Sequence, residues 1–154
     1  LLGENGAGKT TLMRIAFGML SADRGRYERH GHPARFASER ESIAAGIGMV
    51  HQHFMLIPAF TVAENVALGG HGRFRPSDAA AAVRRVGDAT GLALDPHARI
   101  ADLPIGAQQR AEIVRALARN ADTVILDEPT AVLTPSESEE LYRWMRRFAA
   151  DGGT

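Results

Sequence analysis

The chain contains a single lysine, Lys9, against seventeen arginines, and this lysine lies in the glycine-rich run Gly3-Glu4-Asn5-Gly6-Ala7-Gly8-Lys9-Thr10. The run fits G-x-x-x-x-G-K-[ST], a pattern typical of loops that bind nucleotide phosphates. Its glycines let successive backbone N–H groups turn towards an anion, and the helix that follows directs its positive end there. An ammonium is a compact charge that can reach between two phosphates, and the Thr10 hydroxyl suits Mg²⁺. A short pattern also arises by chance, so the loop alone indicates a nucleotide site without establishing it.

Composition limits the class of protein. A length of 154 residues suits one domain. The formal net charge is zero and there is no basic tract, so nucleic acid is not an expected partner. Cysteine is absent, which excludes disulfides, and no apolar run approaches the ~20 residues that cross a bilayer. Because the chain opens at Leu1 without a strand ahead of the loop and ends in a turn, we expect an internal fragment of a longer protein.

Hydrophobic periodicity predicts alternating helices and strands at both ends of the chain and helices between them. The predicted helices are Lys9–Leu20, Ser38–Ala45, Thr61–Leu68, Ser77–Thr90, Gly106–Arg119 and Pro135–Ala150, with capping boxes at Ser38 and Thr61 and a cap at Ser77. The predicted strands are Arg26–Arg29, Ile47–Val50 and Thr123–Leu126, the last expected to be buried on both faces of a parallel sheet. This order indicates an α/β fold: a core in about residues 1–58 and 120–154, carrying a helical subdomain in about residues 59–119.

Two acidic residues, Asp127 and Glu128, directly follow the apolar strand Thr123–Leu126. Ligands of open α/β sheets bind at the carboxyl ends of the strands, where Asp127 could hold Mg²⁺ through water opposite Thr10. Glu128 is then placed to act as the general base that polarises an attacking water. In isolation, the pair reads better as an acidic end to a strand. Together with the phosphate loop, the pair favours a nucleotide-hydrolysing site.

A third motif, Leu103-Pro104-Ile105-Gly106-Ala107-Gln108, precedes Gln109-Arg110 at the start of a predicted helix. It resembles the signature segment of ABC-type ATPases, usually LSGGQ, and Gln52 is similarly placed to the glutamine of their Q-loop. With the motifs in this order, the resemblance covers essentially the whole chain. It implies a P-loop NTPase core with a helical subdomain and a site for ATP and Mg²⁺. The implied roles are ATP binding by Gly3, Glu4, Asn5, Gly6, Ala7, Gly8, Lys9, Thr10 and Thr11, metal binding by Thr10, Gln52 and Asp127, and catalysis by Glu128.

Three further segments, 49–56, 61–66 and 127–135, are similar to the branch of this family that energises uptake of simple sugars and nucleosides. The resemblance implies the first of two ATPase halves, located peripherally on the cytoplasmic face of the bacterial plasma membrane. Its implied partners are a second ATPase domain, an integral-membrane permease and, indirectly, a solute-binding protein. Apolar residues after Gln52 place the expected permease contact between Phe54 and Arg75. The family's switch histidine and adenine-stacking aromatic fall outside residues 1–154, so we expect this fragment alone to be inactive.

The signature departs from the family pattern at three positions. Pro104 replaces a serine that donates to the γ-phosphate of the opposite domain, and proline offers neither a hydroxyl nor an N–H. Ile105 and Ala107 also differ, and Thr134 replaces the aspartate of the family's D-loop, 131–134. These changes leave it open whether this half hydrolyses ATP or mainly binds it.

Two other functions stay open from the sequence. A non-transport ABC ATPase could act on nucleic acid or the ribosome, although neutral charge argues against it. A P-loop kinase would leave the helix at Gln108-Gln109-Arg110 unexplained. The pair His51 and His53 does not by itself indicate a metal site.

Overall fold

The computed structural model describes residues 7–51, 54–69 and 75–154 of the chain. These residues form four strands, six α-helices and one 3-10 turn. The strands are β1 (Tyr27–Arg29), β2 (His32–Ala34), β3 (Ile47–Val50) and β4 (Thr123–Leu126). The helices are α1 (Lys9–Ala16), α2 (Glu39–Ala44), α3 (Val62–Ala67), α4 (Pro76–Thr90), α5 (Ile105–Leu117) and α6 (Pro135–Ala150), and the 3-10 turn is Ile100–Asp102.

The strands β3 and β4 pair in parallel, with Ile47 opposite Thr123 and Val50 opposite Leu126. All four residues of β3 are buried, whereas all four residues of β4 are only partly buried. The prediction that β4 is buried on both faces was therefore wrong. Besides pairing with β3, strand β4 bonds to the last described residue: the Val124 N–H donates to the Thr154 carbonyl at 2.7 Å.

Helix starts follow local capping chemistry. Thr61 and Glu64 form the predicted capping box of α3, in which the Thr61 hydroxyl accepts from the Glu64 N–H and the Glu64 carboxylate accepts from the Thr61 N–H. At α2 only half of the predicted box forms, because the Glu41 carboxylate accepts from the Ala37 N–H. The predicted Ser77 cap of α4 was wrong. Pro76 is the first helical residue, a position for which its fixed φ and missing N–H suit it.

Two features near the N-terminus differ from the prediction. Helix α1 ends at Ala16 rather than Leu20, since Gly18 has a φ of 78° and a Cβ there would lie 2.8 Å from the Ser38 carbonyl oxygen. An antiparallel hairpin pairs β1 with β2, and β2 was not predicted. Its three-residue strands carry too little alternation to be recognised in the sequence.

The main hydrophobic core joins α3, α4, α5 and α6 around β3. Leu141 and Trp144 of α6 are buried in it, which confirms their predicted core role. A smaller cluster of Phe17, Ile47 and Met49 packs on the α1 and α2 side of β3. None of the helices in the described ranges is both long enough and apolar enough to cross a membrane. The division into a core and a helical subdomain stays a prediction.

Candidate nucleotide-binding site

Helix α1 begins directly at the predicted phosphate-binding lysine. Gly8 precedes it with a φ of 85°, a left-handed conformation that glycine adopts without strain. Gly8 has no side chain, so α1 begins without a side-chain hydrogen bond from its N-cap residue. The predicted ligands Gly3, Glu4, Asn5 and Gly6 lie outside the described residues, as does Gln52. The described part of the predicted phosphate loop is therefore its helical end.

The structure brings Thr10 and Asp127 together. The Thr10 hydroxyl donates to Asp127 Oδ1 at 3.1 Å, although the two residues are 117 positions apart in the sequence. Strand β3 holds this aspartate in place, because the Asp127 N–H donates to the Val50 carbonyl of β3 at 3.1 Å. Only 4% of Asp127 is exposed. The two residues predicted to face one another across a metal therefore meet in the folded chain.

The pair fits a magnesium ion by its chemistry. A hydroxyl and a carboxylate are the hard oxygen donors that Mg²⁺ prefers, and Mg²⁺ usually takes one or two such ligands together with water and phosphate oxygens. Within residues 7–51, 54–69 and 75–154, no group of three or more histidines or acidic side chains gathers as a metal site. The donors available at Thr10 and Asp127 thus suit a metal that a nucleotide helps to hold.

Glu128 follows Asp127 in an unusual backbone conformation. Its φ is 48°, in the left-handed region that non-glycine residues seldom adopt. Strained conformations of this kind concentrate at functional sites. The residue is exposed, so water can reach it.

The signature segment lies at the start of α5, with Pro104 as its N-cap residue. Gly106 and Ala107 are buried, Ile105 is exposed, and the Gln108 side-chain amide donates to the Leu103 carbonyl at 2.9 Å. Other hydrogen bonds of this segment run from the Leu103 N–H to the Ile100 carbonyl at 3.1 Å and from the Gly106 N–H to Glu137 of α6.

Glu137 of α6 ties the signature to the segment that follows Glu128. Its carboxylate accepts from the Thr134 N–H at 2.9 Å and from the Thr134 hydroxyl at 2.8 Å. The same carboxylate accepts from the Gly106 N–H, and these hydrogen bonds, led by those from Thr134, lower the pKa of Glu137. A Cβ on residue 106 would lie 2.0 Å from Glu137 Oε1, so a side chain at this position would force the Glu137 carboxylate to move.

Sequence reasoning missed three charged residues near the end of α5: Glu112 and Arg115 in the helix and Arg119 in the turn that follows it. Glu112 is fully buried, and its carboxylate accepts from the Met55 N–H at 2.5 Å and from Arg115 at 2.6 Å. Burial raises the pKa of Glu112, and Arg115 together with the Met55 N–H offsets part of that rise. Arg115 also donates to the Met55 carbonyl at 2.8 Å, and Arg119 donates to the Leu68 carbonyl. The available signal was the spacing i, i+3, i+7, which places three charges on one face of the predicted helix.

The apolar residues 54–60, called the docking segment below, are divided between core and surface. Leu56 is buried, while the exposed fractions are 59% for Met55, 38% for Ile57 and 37% for Phe60. The buried Asn65 braces the segment, since its amide oxygen accepts from the Ile57 N–H at 2.7 Å and its amide nitrogen donates to the Ile57 carbonyl at 3.1 Å. The exposed side chains of Met55, Ile57 and Phe60 thus form an apolar patch on the surface.

A cavity of about 240 Å³ opens beside this segment, between α2, β3 and the second half of α5. Met55, Arg115 and His51 lie in its lining. His51 packs edge-on against Phe17 with ring centroids 6.3 Å apart, and burial lowers the pKa of its imidazole. His53 lies outside the described residues.

Comparison with protein families gives a match to the ABC transporter family over residues 1–131. The guanosine import ATP-binding protein NupO of Bacillus subtilis is 47% identical over 156 residues, which cover 99% of this chain and 31% of the relative. The nucleoside import ATP-binding protein NupA of Lactococcus lactis is 44% identical, and the ribose import ATP-binding protein RbsA 1 of Burkholderia thailandensis is 43% identical, each with the same coverage. The chain spans about a third of the length of these curated relatives.

Solved structures show the same architecture. A nucleotide-free ATP-binding cassette from an ABC transporter superposes with a TM-score of 0.83 at 23% identity, covering 99% of this chain and 66% of that one. A dimeric cassette in a post-hydrolysis state, bound to ADP and Pi, superposes with a TM-score of 0.79 at 26% identity, covering 99% and 69%. These similarities confirm the predicted P-loop α/β fold.

Proposed function

Because this chain belongs to the ABC transporter family, we propose that it binds ATP with Mg²⁺ and that ATP hydrolysis energises a membrane permease importing a simple sugar or nucleoside. The observation that carries the nucleotide site is the 3.1 Å contact between Thr10 and Asp127. Two motifs at opposite ends of the sequence meet through it. A strand-ending acidic residue with a merely structural role would not need the hydroxyl of the phosphate loop.

The phosphate end of the site is supported by the start of α1. The positive end of the helix dipole favours an anion there. Lys9 is the first residue of α1, and its ammonium would neutralise part of the charge of the β- and γ-phosphates. Gly8 allows the chain to enter the helix at this angle. Residues 3–11 form the proposed ATP-binding set.

The proposed hydrolysis uses groups at the end of β4. Asp127 and Thr10 would hold the metal, with Gln52 as a further proposed ligand, and bound Mg²⁺ would neutralise charge on the phosphates. Glu128 would accept a proton from water as that water attacks the γ-phosphorus, the bond from this phosphorus to the β–γ bridging oxygen breaks, and ADP leaves. The exposure of Glu128 gives water access. Because Glu128 directly follows the proposed metal-holding residue, both roles would be positioned by one strand end.

The proposed permease contact is the exposed part of the docking segment, supported by Met55, Ile57 and Phe60. The neighbouring cavity of about 240 Å³ offers room for a partner's side chains beside Met55. An apolar groove with anchors of this kind suits a short amphipathic helix. A second ATPase domain, in the same polypeptide or in a dimer, is the other proposed partner, supported by the dimeric cassette among the similar structures. A solute-binding protein would act indirectly, through the permease.

The substrate class rests on the relatives, whose names specify guanosine, nucleoside and ribose import. These names support transport over the non-transport alternative. An importer of this kind would place the chain peripherally on the cytoplasmic face of the bacterial plasma membrane. The proline at 104 limits what the signature could contribute to hydrolysis at an opposite site, because it provides no hydroxyl donor.

The nucleotide site is tested by calorimetric titration of ATP with and without Mg²⁺. Lys9→Ala should abolish ATP binding, because no neighbouring lysine can replace the lost charge. Asp127→Asn should remove most of the Mg²⁺ dependence of ATP affinity. Asp122→Asn is the matched control, as Asp122 precedes β4 at its opposite end and pairs with Arg29. Unchanged ATP affinity in Lys9→Ala would contradict the site, and equal Mg²⁺ dependence in Asp127→Asn and the control would contradict the metal assignment.

A further inference from the structure

Helix α5 holds both backbone polar groups of Met55. The Glu112 carboxylate accepts from the Met55 N–H at 2.5 Å, and Arg115 donates to the Met55 carbonyl at 2.8 Å. Arg115 also binds Glu112 at 2.6 Å, so the three residues form a closed hydrogen-bonded ring. Met55 lies in neither a helix nor a strand, and the backbone groups of such a residue need partners from elsewhere.

The turn that follows α5 holds the far end of this region. Arg119 in this turn donates to the Leu68 carbonyl just after α3, and a Cβ at Gly69 would lie 3.0 Å from the Arg119 guanidinium. Residues 112, 115 and 119 therefore attach both ends of the stretch from Met55 to Leu68 to α5 and its following turn. Asn65 braces the stretch internally through Ile57.

Stability alone does not account for a glutamate at position 112. Burying an ion pair costs desolvation energy, and well-packed apolar residues in its place are often equally stable or more stable. Glu112 is fully buried, and the Arg115 side chain is 17% exposed. Apolar side chains could fill this space, but they could not bond to the backbone of Met55.

We infer that Glu112 and Arg115 are positioning residues that clamp the docking segment to α5, the helix that begins at the signature. The inference rests on the proposed function, in which this segment contacts the permease. Glu112 and Arg115 lie six and nine positions after Gly106, which corresponds to about 9–14 Å along the helix axis. A displacement at the start of α5 would thus be transmitted to Met55 along the helix and through the hydrogen bonds of Met55 with Glu112 and Arg115.

The test compares single and double replacements in the full-length protein, alone and assembled with its permease. Glu112→Met and Arg115→Met each leave one buried charge unpaired and should destabilise the fold. The double variant removes both charges and should recover most of the free energy of unfolding that each single variant loses. Its Met55 amide should nevertheless exchange with deuterium about tenfold faster or more, because local opening no longer breaks a charge-assisted bond. Stimulation of ATP hydrolysis by the permease should fall, while ATP affinity stays unchanged.

A matched control is the exposed pair of Arg26 and Glu28, joined at 2.8 Å. Its double methionine variant should change neither Met55 exchange nor stimulation. Glu112→Gln, which keeps the side-chain shape, provides a second variant if the methionine variants fold poorly, and it should also accelerate Met55 exchange. Unchanged Met55 exchange, or a double variant that regains stimulation together with stability, would overturn the clamp. If Met55 exchange responds but the wild-type protein shows no stimulation by the permease, the clamp stands and the proposed docking function fails.

Discussion

The carboxylate of Glu137 lies against the backbone of Gly106, so that the start of α6 and the start of α5 meet at one side chain. A Cβ on residue 106 would lie 2.0 Å from Glu137 Oε1 and 2.4 Å from its carboxyl carbon. The carboxylate cannot withdraw without cost, because it also caps α6 through Thr134.

Gly106→Ala should therefore destabilise the protein. Displacing the Glu137 carboxylate weakens the α6 cap, and this loss opposes the gain of up to about 1 kcal/mol in helix propensity. The steric conflict adds to the loss, so the net free energy of unfolding should fall. Urea denaturation measures the change. In a Glu137→Ala background the same glycine replacement should stabilise the protein, and a loss of equal size in both backgrounds would contradict this contact.

Glu128→Gln should keep ATP binding and slow ATP hydrolysis by roughly 10²–10⁴-fold, the range typical of a lost general base. The amide has the same shape but cannot accept a proton from water. Single-turnover hydrolysis and ATP titration on the same preparation separate the two effects. A turnover equal to that of the wild-type protein would show that Glu128 has no catalytic role.

Ile57→Asp should uncouple transport while ATP affinity stays unchanged. Ile57 is 38% exposed in the docking segment, and a carboxylate there would have to be desolvated against a partner. The measurements are substrate uptake in vesicles and copurification of the permease. Tyr142→Asp, which introduces the same charge at a half-exposed position of α6, is the control. Normal uptake and full copurification with Ile57→Asp would place the permease contact elsewhere.

Glu112 should make stability depend on pH in a defined direction. Burial raises its pKa above the ordinary 4.5, against the opposing effects of Arg115, the Met55 N–H and Arg119. The folded state then binds more protons than the unfolded state between 4.5 and the raised value. The contribution of Glu112 to stability should accordingly fall as pH rises through this interval and level off above it. Denaturation of the wild-type protein and Glu112→Gln across pH 4–8 tests the sign. A difference between them that grows with pH would contradict it.

Local chemistry explains which helix ends could be predicted from the sequence. Thr61 caps α3 because Glu64 follows three residues later, and Pro135 opens α6 because its ring suits a first helical turn. Ser77 has the same capping chemistry, but Pro76 before it already fits the first helical position. The Pro76 ring and the Ser77 hydroxyl thus predict helix starts one residue apart, and α4 starts where the proline predicts.

Nonlocal arrangement explains what the sequence could not show. The meeting of Thr10 with Asp127 was predicted because both belong to recognisable motifs. The attachment of Met55 to Glu112 involves no motif and depends on how α5 packs over the docking segment. Partial burial of β4 likewise depends on which strands flank it, a property that an apolar run of four residues does not encode.

At Glu128 the backbone conformation favours glycine, whereas the proposed chemistry needs a carboxylate. A non-glycine residue at a φ of 48° costs about 1–2 kcal/mol, whereas glycine there would lose about 0.5–1 kcal/mol through its larger unfolded-state freedom. Selection for a stable fold alone would thus favour glycine after Asp127. The proposed general base needs a carboxylate at this strained turn, and the rest of the domain must then offset its cost in stability.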